Sequence, residues 1–270
     1  MRPLLLAFTI PFLCQCSSLP KPGQAAVIPQ FQKSAKVILE QSAATQGNTW
    51  KTYRNVQLTL DGEWASLVDR LQPELVDKSF RKRSVETYNT QKPSVRQVFT
   101  GPAGTKVVER NSKGVSVTYN GQPTQAPQQL AASALVADAY TIFAFGPSWL
   151  YYNSKNLQVL PPSAIGAKRC HRVQGTFQPG LGFASQDQFI AWVEEESNLL
   201  RRVQFTLNGT ESTQGADVET TFSNYYTAPD GTIWPTQFVE NIVRPIRKKA
   251  HEWRTLKIVA DGRTLLQTAE

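Results

Sequence analysis

The chain has three cysteines in 270 residues, and two of them, Cys14 and Cys16, fall in the first sixteen positions. Cys170 alone serves the remainder, so no intramolecular disulfide can staple the body, and a core must hold by burial. Histidine is equally scarce, with His171 and His251 the whole complement. There is no G-x-S-x-G elbow, P-loop, H-E-x-x-H or dinucleotide fingerprint. Cys170 and His171 are adjacent, but strand neighbours point to opposite faces, so they make a poor thiol–imidazole pair. Zinc would need further ligands at suitable spacing, which the sequence lacks. Glu194, Glu195 and Glu196 end a strand before Ser197-Asn198 and read as a solvated turn, with Glu195 able to line an entrance. These absences argue against an enzyme, a metal or a cofactor.

Long apolar runs are also missing, except at the start. Arg2 precedes an apolar stretch from Leu4 to Leu13, the length of an export-signal core and too short to span a bilayer. No other stretch reads as transmembrane. The segment SSLPKPGQAAVIP then reads as a tether. Leu13, Cys16 and Ser17 together resemble a bacterial lipobox, although Cys14 and Gln15 stand where small residues are usual. That resemblance implies a signal peptide over 1–15, a lipidated Cys16, a tether over 16–30 and one domain over 31–270. It also implies an anchor in a membrane, with Ser17 matching outer-membrane retention facing the periplasm. The formal net charge is +8. Export excludes nucleic acid as the partner of the basic clusters at Arg81-Lys82-Arg83, Arg201-Arg202 and Arg244 to Lys249. They read as solvated strand faces, or as surface close to anionic lipid.

Within the body, FQKSAKVILEQSAAT places Phe31, Ala35, Ile38, Leu39 and Ser42 on one helical face, closed by Gln46-Gly47-Asn48. VQLTLDG alternates as a half-buried strand, and EWASLVDRLQPELV is helical but broken at Pro73. Four short alternating strands follow from Arg81 to Gly121, with tight hairpins at GPAG and NSKG. QQLAASALVADAYTIFAFG then reads as a helix with Leu130, Ala134, Leu135, Ile142 and Phe143 on one face, ended by Gly146-Pro147. Seven more strands continue as a meander. The fold class is α+β, mainly β: about eleven strands in one strongly curved antiparallel sheet, an unclosed half-barrel covered by two or three helices.

Three passages, GNTWKTYRNVQLTLDGEW, ALVADAYTIFAFGP and FIAWVEEESNLLRRVQFTLNG with the strands after it, resemble the LolA/LolB-like lipoprotein-localisation group. The resemblance spans about residues 35 to 258. It implies an open barrel lidded by helices whose apolar cavity holds acyl chains, hence a lipid or the acyl chain of a lipoprotein as partner. The lipobox makes the chain look more like a membrane-anchored acceptor than a soluble carrier.

Candidate cavity residues are Val56, Leu58, Trp64, Phe99, Tyr119, Leu135, Ile142, Phe143, Trp149, Phe189, Trp192, Phe205, Phe222, Trp234, Phe238 and Trp253. Each alone is as well explained as ordinary core. The reading is a monomer that binds a lipid or lipidated protein, with transfer of that ligand as the further step. Its rival is a structural lipoprotein of an envelope assembly with a filled barrel. A large continuous cavity favours the first, and a core packed solid favours the second.

Overall fold

The computed structural model describes residue 19 and residues 33–244 and 247–268. The leader, Cys16, Phe31 and all of the tether but Leu19 lie outside the described residues.

Helix α1 (Ala35–Thr45) starts where the Ser34 hydroxyl accepts from the Val37 amide, and it buries Ala35, Ile38, Leu39, Ser42 and Ala43. Gly47 and Asn48, both at positive φ, stop it and lead into the single turn α2 (Thr49–Thr52). Strand β1 (Asn55–Trp64) follows, then α3 (Ser66–Leu71) and α4 (Pro73–Val76), divided at the proline as its missing amide requires.

A meander comes next: β2 (Arg83–Asn89), β3 (Ser94–Gly101), β4 (Gly104–Asn111), β5 (Gly114–Tyr119) and β6 (Gln122–Pro123). The GPAG and NSKG hairpins close as expected on the pairs Gly101 with Gly104 and Asn111 with Gly114. Helix α5 (Pro127–Asn153) crosses to β7 (Ser154–Ile165), β8 (Lys168–Phe177), β9 (Asp187–Glu194), β10 (Leu200–Thr206), β11 (Asp217–Thr227), β12 (Ile233–Arg244), β13 (Lys248–Ala260) and β14 (Arg263–Gln267).

All pairings are antiparallel, in the order β6-β5-β4-β3-β2-β1-β13-β12-β11-β10-β9-β8-β7, with β14 on β13. The sheet is not closed into a barrel. Its edge strands β6 and β7 are neighbours in sequence, so α5 is the one connection between the two edges. Among the described residues there are fourteen strands and five helices, more than the expected eleven or so strands and two or three helices. The extra strands include β6 and β14, which are two and five residues long.

Helix α5 also departs from expectation. Gly146 takes φ 46° and ψ −123°, which breaks the helix axis, but a second helical segment runs on through Pro147 to Asn153. By length and composition α5 could cross a membrane, contrary to the sequence reading, yet most of it is buried within the sheet.

Candidate functional site

Alternation along β1 turns Val56, Leu58 and Leu60 to the inner face of the sheet, and register carries that face across its neighbours. One row runs Leu60, Ser84, Phe99, Lys106, Tyr119, and the next runs Leu58, Glu86, Gln97, Val108, Val117. Over this face lies α5.

The helix is buried almost all round, not along one stripe. Ala132 to Ala137, Ala139, Tyr140 and Ile142 to Ser148 are all shielded. It is therefore a plug rather than the one-faced lid that Leu135, Ile142 and Phe143 suggested. Phe143 stands 5.4 Å from Phe238 and 6.1 Å from both Phe205 and Phe222, ring centre to ring centre. Tyr140 meets Trp253 at 5.7 Å. On another side Phe145 meets Trp50, Tyr88 and Trp234. Trp149 packs edge-on against Phe177, which stacks on Phe189. The small residues Ala134 and Ala137, both at 0% exposure, let backbone and sheet approach.

Most of the candidate residues thus meet in one cluster: Val56, Leu58, Phe99, Leu135, Ile142, Phe143, Phe189, Phe205, Phe222, Trp234, Phe238 and Trp253, with Tyr119 and Trp149 at its margin. Trp64 sits at the end of β1, 4.2 Å from the His251 ring and beneath the Arg81 guanidinium. Trp192 does not join them. Phe189, Ala191 and Val193 take the inner positions of β9, so Trp192 falls on the outer face with Leu160, Cys170 and Ile190.

Two cavities flank α5. One, about 300 Å³, opens between the β2–β3 and β4–β5 turns and the loop at Gln178 to Leu181, with Asp138, Thr141 and Trp149 as its floor. Asp138 there accepts from Arg110 (3.1 Å) and from the Gly182 amide (2.8 Å), tying α5 to both banks. Burial pushes its carboxyl up while Arg110 pulls it down. The second, about 400 Å³, lies between α4, the start of α5 and the loop at Thr210 to Ser212. Apart from a small enclosed void near its α4 end, the space beneath α5 is filled by its own side chains.

Several charged residues of the interior escaped the sequence reading. Arg81, in a run that reads as solvated, is 2% exposed and donates to the Leu75 carbonyl and, at 3.0 Å, to the Tyr140 hydroxyl. Glu86 is fully buried and accepts from Ser84 and Tyr88. Burial pushes the Glu86 carboxyl up, and that of Glu240 to about 7. Buried His251 is driven well below its usual value and stays neutral. Parity was the available signal, because Tyr88 facing inward puts Ser84 and Glu86 on the same inner face. Glu194 is likewise no solvated turn residue. It is 4% exposed and binds Lys168, Arg201 and Ser197 on the outer side.

No protein-family model and no curated protein matches the sequence. Solved structures do match the fold. A LolA superfamily protein from Nitrosomonas europaea is 12% identical over 88% of this chain and 96% of its own, with a TM-score of 0.52. A protein domain from Vibrio parahaemolyticus, described as outer membrane lipoprotein-sorting, is 9% identical over 84% and 92%, at 0.51. A DUF1329 family protein from Desulfovibrio piger gives 10%, 84%, 92% and 0.52. At these identities the likeness is one of fold.

Proposed function

We propose that this chain, which has the fold of the LolA superfamily, captures an apolar ligand on the inner face of its half-barrel and performs no bond chemistry. The ligand is a lipid or the acyl chain of a lipoprotein, such as the lipoprotein-sorting name of one structural neighbour implies for that protein. The observation that carries the reading is α5 itself. It is an apolar helix of 27 residues, bent at Gly146 and buried along most of its length, that joins the two open edges of an unclosed sheet and fills the groove between them.

Such a plug competes with a ligand for one apolar surface. When acyl chains enter, α5 moves out, and the sheet exchanges one apolar burial for another at roughly 25 cal/mol per Å² on each side. The net difference is therefore small, no nucleotide is needed, and the relative affinities of donor and acceptor set the direction. The two cavities beside α5, about 300 and 400 Å³, are the openings through which a ligand reaches the groove, the smaller at the lower bound of ligand-pocket sizes. The signal over 1–15, the lipid on Cys16, the tether, the single domain over 31–270 and the monomeric state belong to the same proposal. They place the protein in the bacterial envelope, anchored in the outer membrane and facing the periplasm. Cys16→Ser should yield soluble protein that takes up no fatty-acid label, and label persisting in that variant would refute the anchor.

The filled interior specifically favours the rival reading, a structural lipoprotein with a permanent core. Native mass spectrometry of protein extracted from membranes separates the two. Co-purified lipid removed by delipidation supports capture. Protein that is always lipid-free and takes up no added lipid supports the structural role.

A further inference from the structure

The inner face is not uniformly apolar. At the end of the groove beside α4, a small enclosed void is lined by Arg81, Lys106, Gln97, Phe99 and Ser133. It shares Glu74, Leu75 and Ala132 with the open 400 Å³ cavity, so that cavity is its vestibule. Arg81 is 2% exposed, and no carboxylate of a described residue lies within ion-pair distance of it. Its guanidinium lies 4.8, 4.9 and 5.5 Å from the rings of Trp64, Phe99 and Tyr140. Its Nε and the Ser133 hydroxyl have no hydrogen-bond partner among the described residues. Lys106, equally buried, binds Asp77 at 2.7 Å. Buried cations are ordinarily paired with an anion, because desolvating a lone charge costs several kcal/mol. The carboxyls of Glu86 and Glu240 feel the Arg81 charge without pairing with it, so a guanidinium held by rings, with an unpartnered donor beside a void, has room for a further anion.

Resting on the capture reading above, we propose that Arg81, with Ser133 and Lys106, binds the oxyanion of an anionic amphiphile, a phosphate or carboxylate head whose chain occupies the groove. The head enters through the vestibule between α4 and α5, and α5, which contributes Ser133, must shift to admit it. Glu74 and Glu211 stand exposed at the outer rim, where water and salt screen them. The inner end presents the Arg81 Nε and the Ser133 hydroxyl as unpartnered donors, while the Asp77 carboxylate beside them is already engaged by Lys106 and Tyr119.

Displacement of the uncharged probe N-phenyl-1-naphthylamine tests this with dodecyl phosphate, dodecanol and inorganic phosphate as competitors. Wild-type protein should favour dodecyl phosphate over dodecanol by about tenfold or more, the scale of one charge-assisted hydrogen bond. Arg81→Gln should remove the preference and leave dodecanol unchanged, and if that variant does not fold, the wild-type ratio alone decides. Equal competition by the two dodecyl compounds overturns the oxyanion site and leaves apolar capture standing. Competition by inorganic phosphate as strong as dodecyl phosphate overturns the amphiphile in favour of a free oxyanion. Failure of both chains to bind overturns the capture reading itself, and this site with it.

Discussion

Cys170 and Phe143 are both shielded from water, yet they sit on opposite faces of the sheet. Their substitution should therefore separate stability from binding. Cys170→Ala removes a sulfur from the outer cluster with Leu160, Ile190 and Trp192, and should cost at most a few kcal/mol. Denaturant titration should show that loss while probe binding holds. Phe143→Glu places a carboxylate among Phe205, Phe222 and Phe238, and should weaken binding of an apolar fluorescent probe strongly, with folding monitored by circular dichroism. Asp138 is no neutral control for it, because Asp138 carries the Arg110 and Gly182 contacts. Glu240 gives a pH signature. Its folded carboxyl titrates near 7 because it is buried, against about 4.5 unfolded, so the folded state holds the extra proton between those values. Glu240's contribution is then present at acid pH and is lost as pH rises from about 4.5 to 7. Glu240→Gln should flatten that part of the stability curve and be the more stable protein at pH 8, by on the order of 3 kcal/mol.

At the scale of elements, alternation and turn chemistry made most strands legible, since a period of two with glycine at the turns admits few other readings. The two misses on the strand side are instructive. Strands β6 and β14 follow Asn120-Gly121 and Asp261-Gly262, with both residues of each pair in left-handed conformation. The hairpin signal was there, but the strands after it are too short to show a period. Trp192 was misplaced because aromatic content was read without strand parity, which alone decides inside from outside. Glu86 was missed for the same reason, whereas Arg81 precedes β2, where parity gives no signal, and lies in a basic run whose other members Lys82 and Arg83 are exposed. For α5, periodicity found one face of a helix that has none to spare. Its bend at Gly146 is a specific requirement, because φ 46° with ψ −123° suits glycine, and an added Cβ would meet Leu200 at 3.3 Å. Gly146→Ala should destabilise the fold by about 1–3 kcal/mol, measured by thermal or urea unfolding.

For the whole molecule, an open sheet of this size must either close or be filled, and here a single helix between its edge strands fills it. Fold class was readable because the number of strands dictates curvature. Whether the groove is occupied by protein or by ligand was not, because both occupants present the same apolar surface to the same residues. Capture of a ligand requires that α5 yield this groove. A Cβ on Gly182, which sits at φ 63°, would stand 3.2 Å from the Leu135 Cβ, a few tenths of an ångström inside the usual disulfide separation, so a small shift of the loop brings the two into bonding range. The double variant Leu135→Cys/Gly182→Cys can therefore pin α5 to the β8–β9 loop when oxidised and release it when reduced. Uptake of N-phenyl-1-naphthylamine, compared in the two redox states of this one protein, tests that requirement. Oxidation should suppress uptake at least about tenfold, and reductant should restore it. Equal uptake by the locked and released forms would contradict displacement of α5.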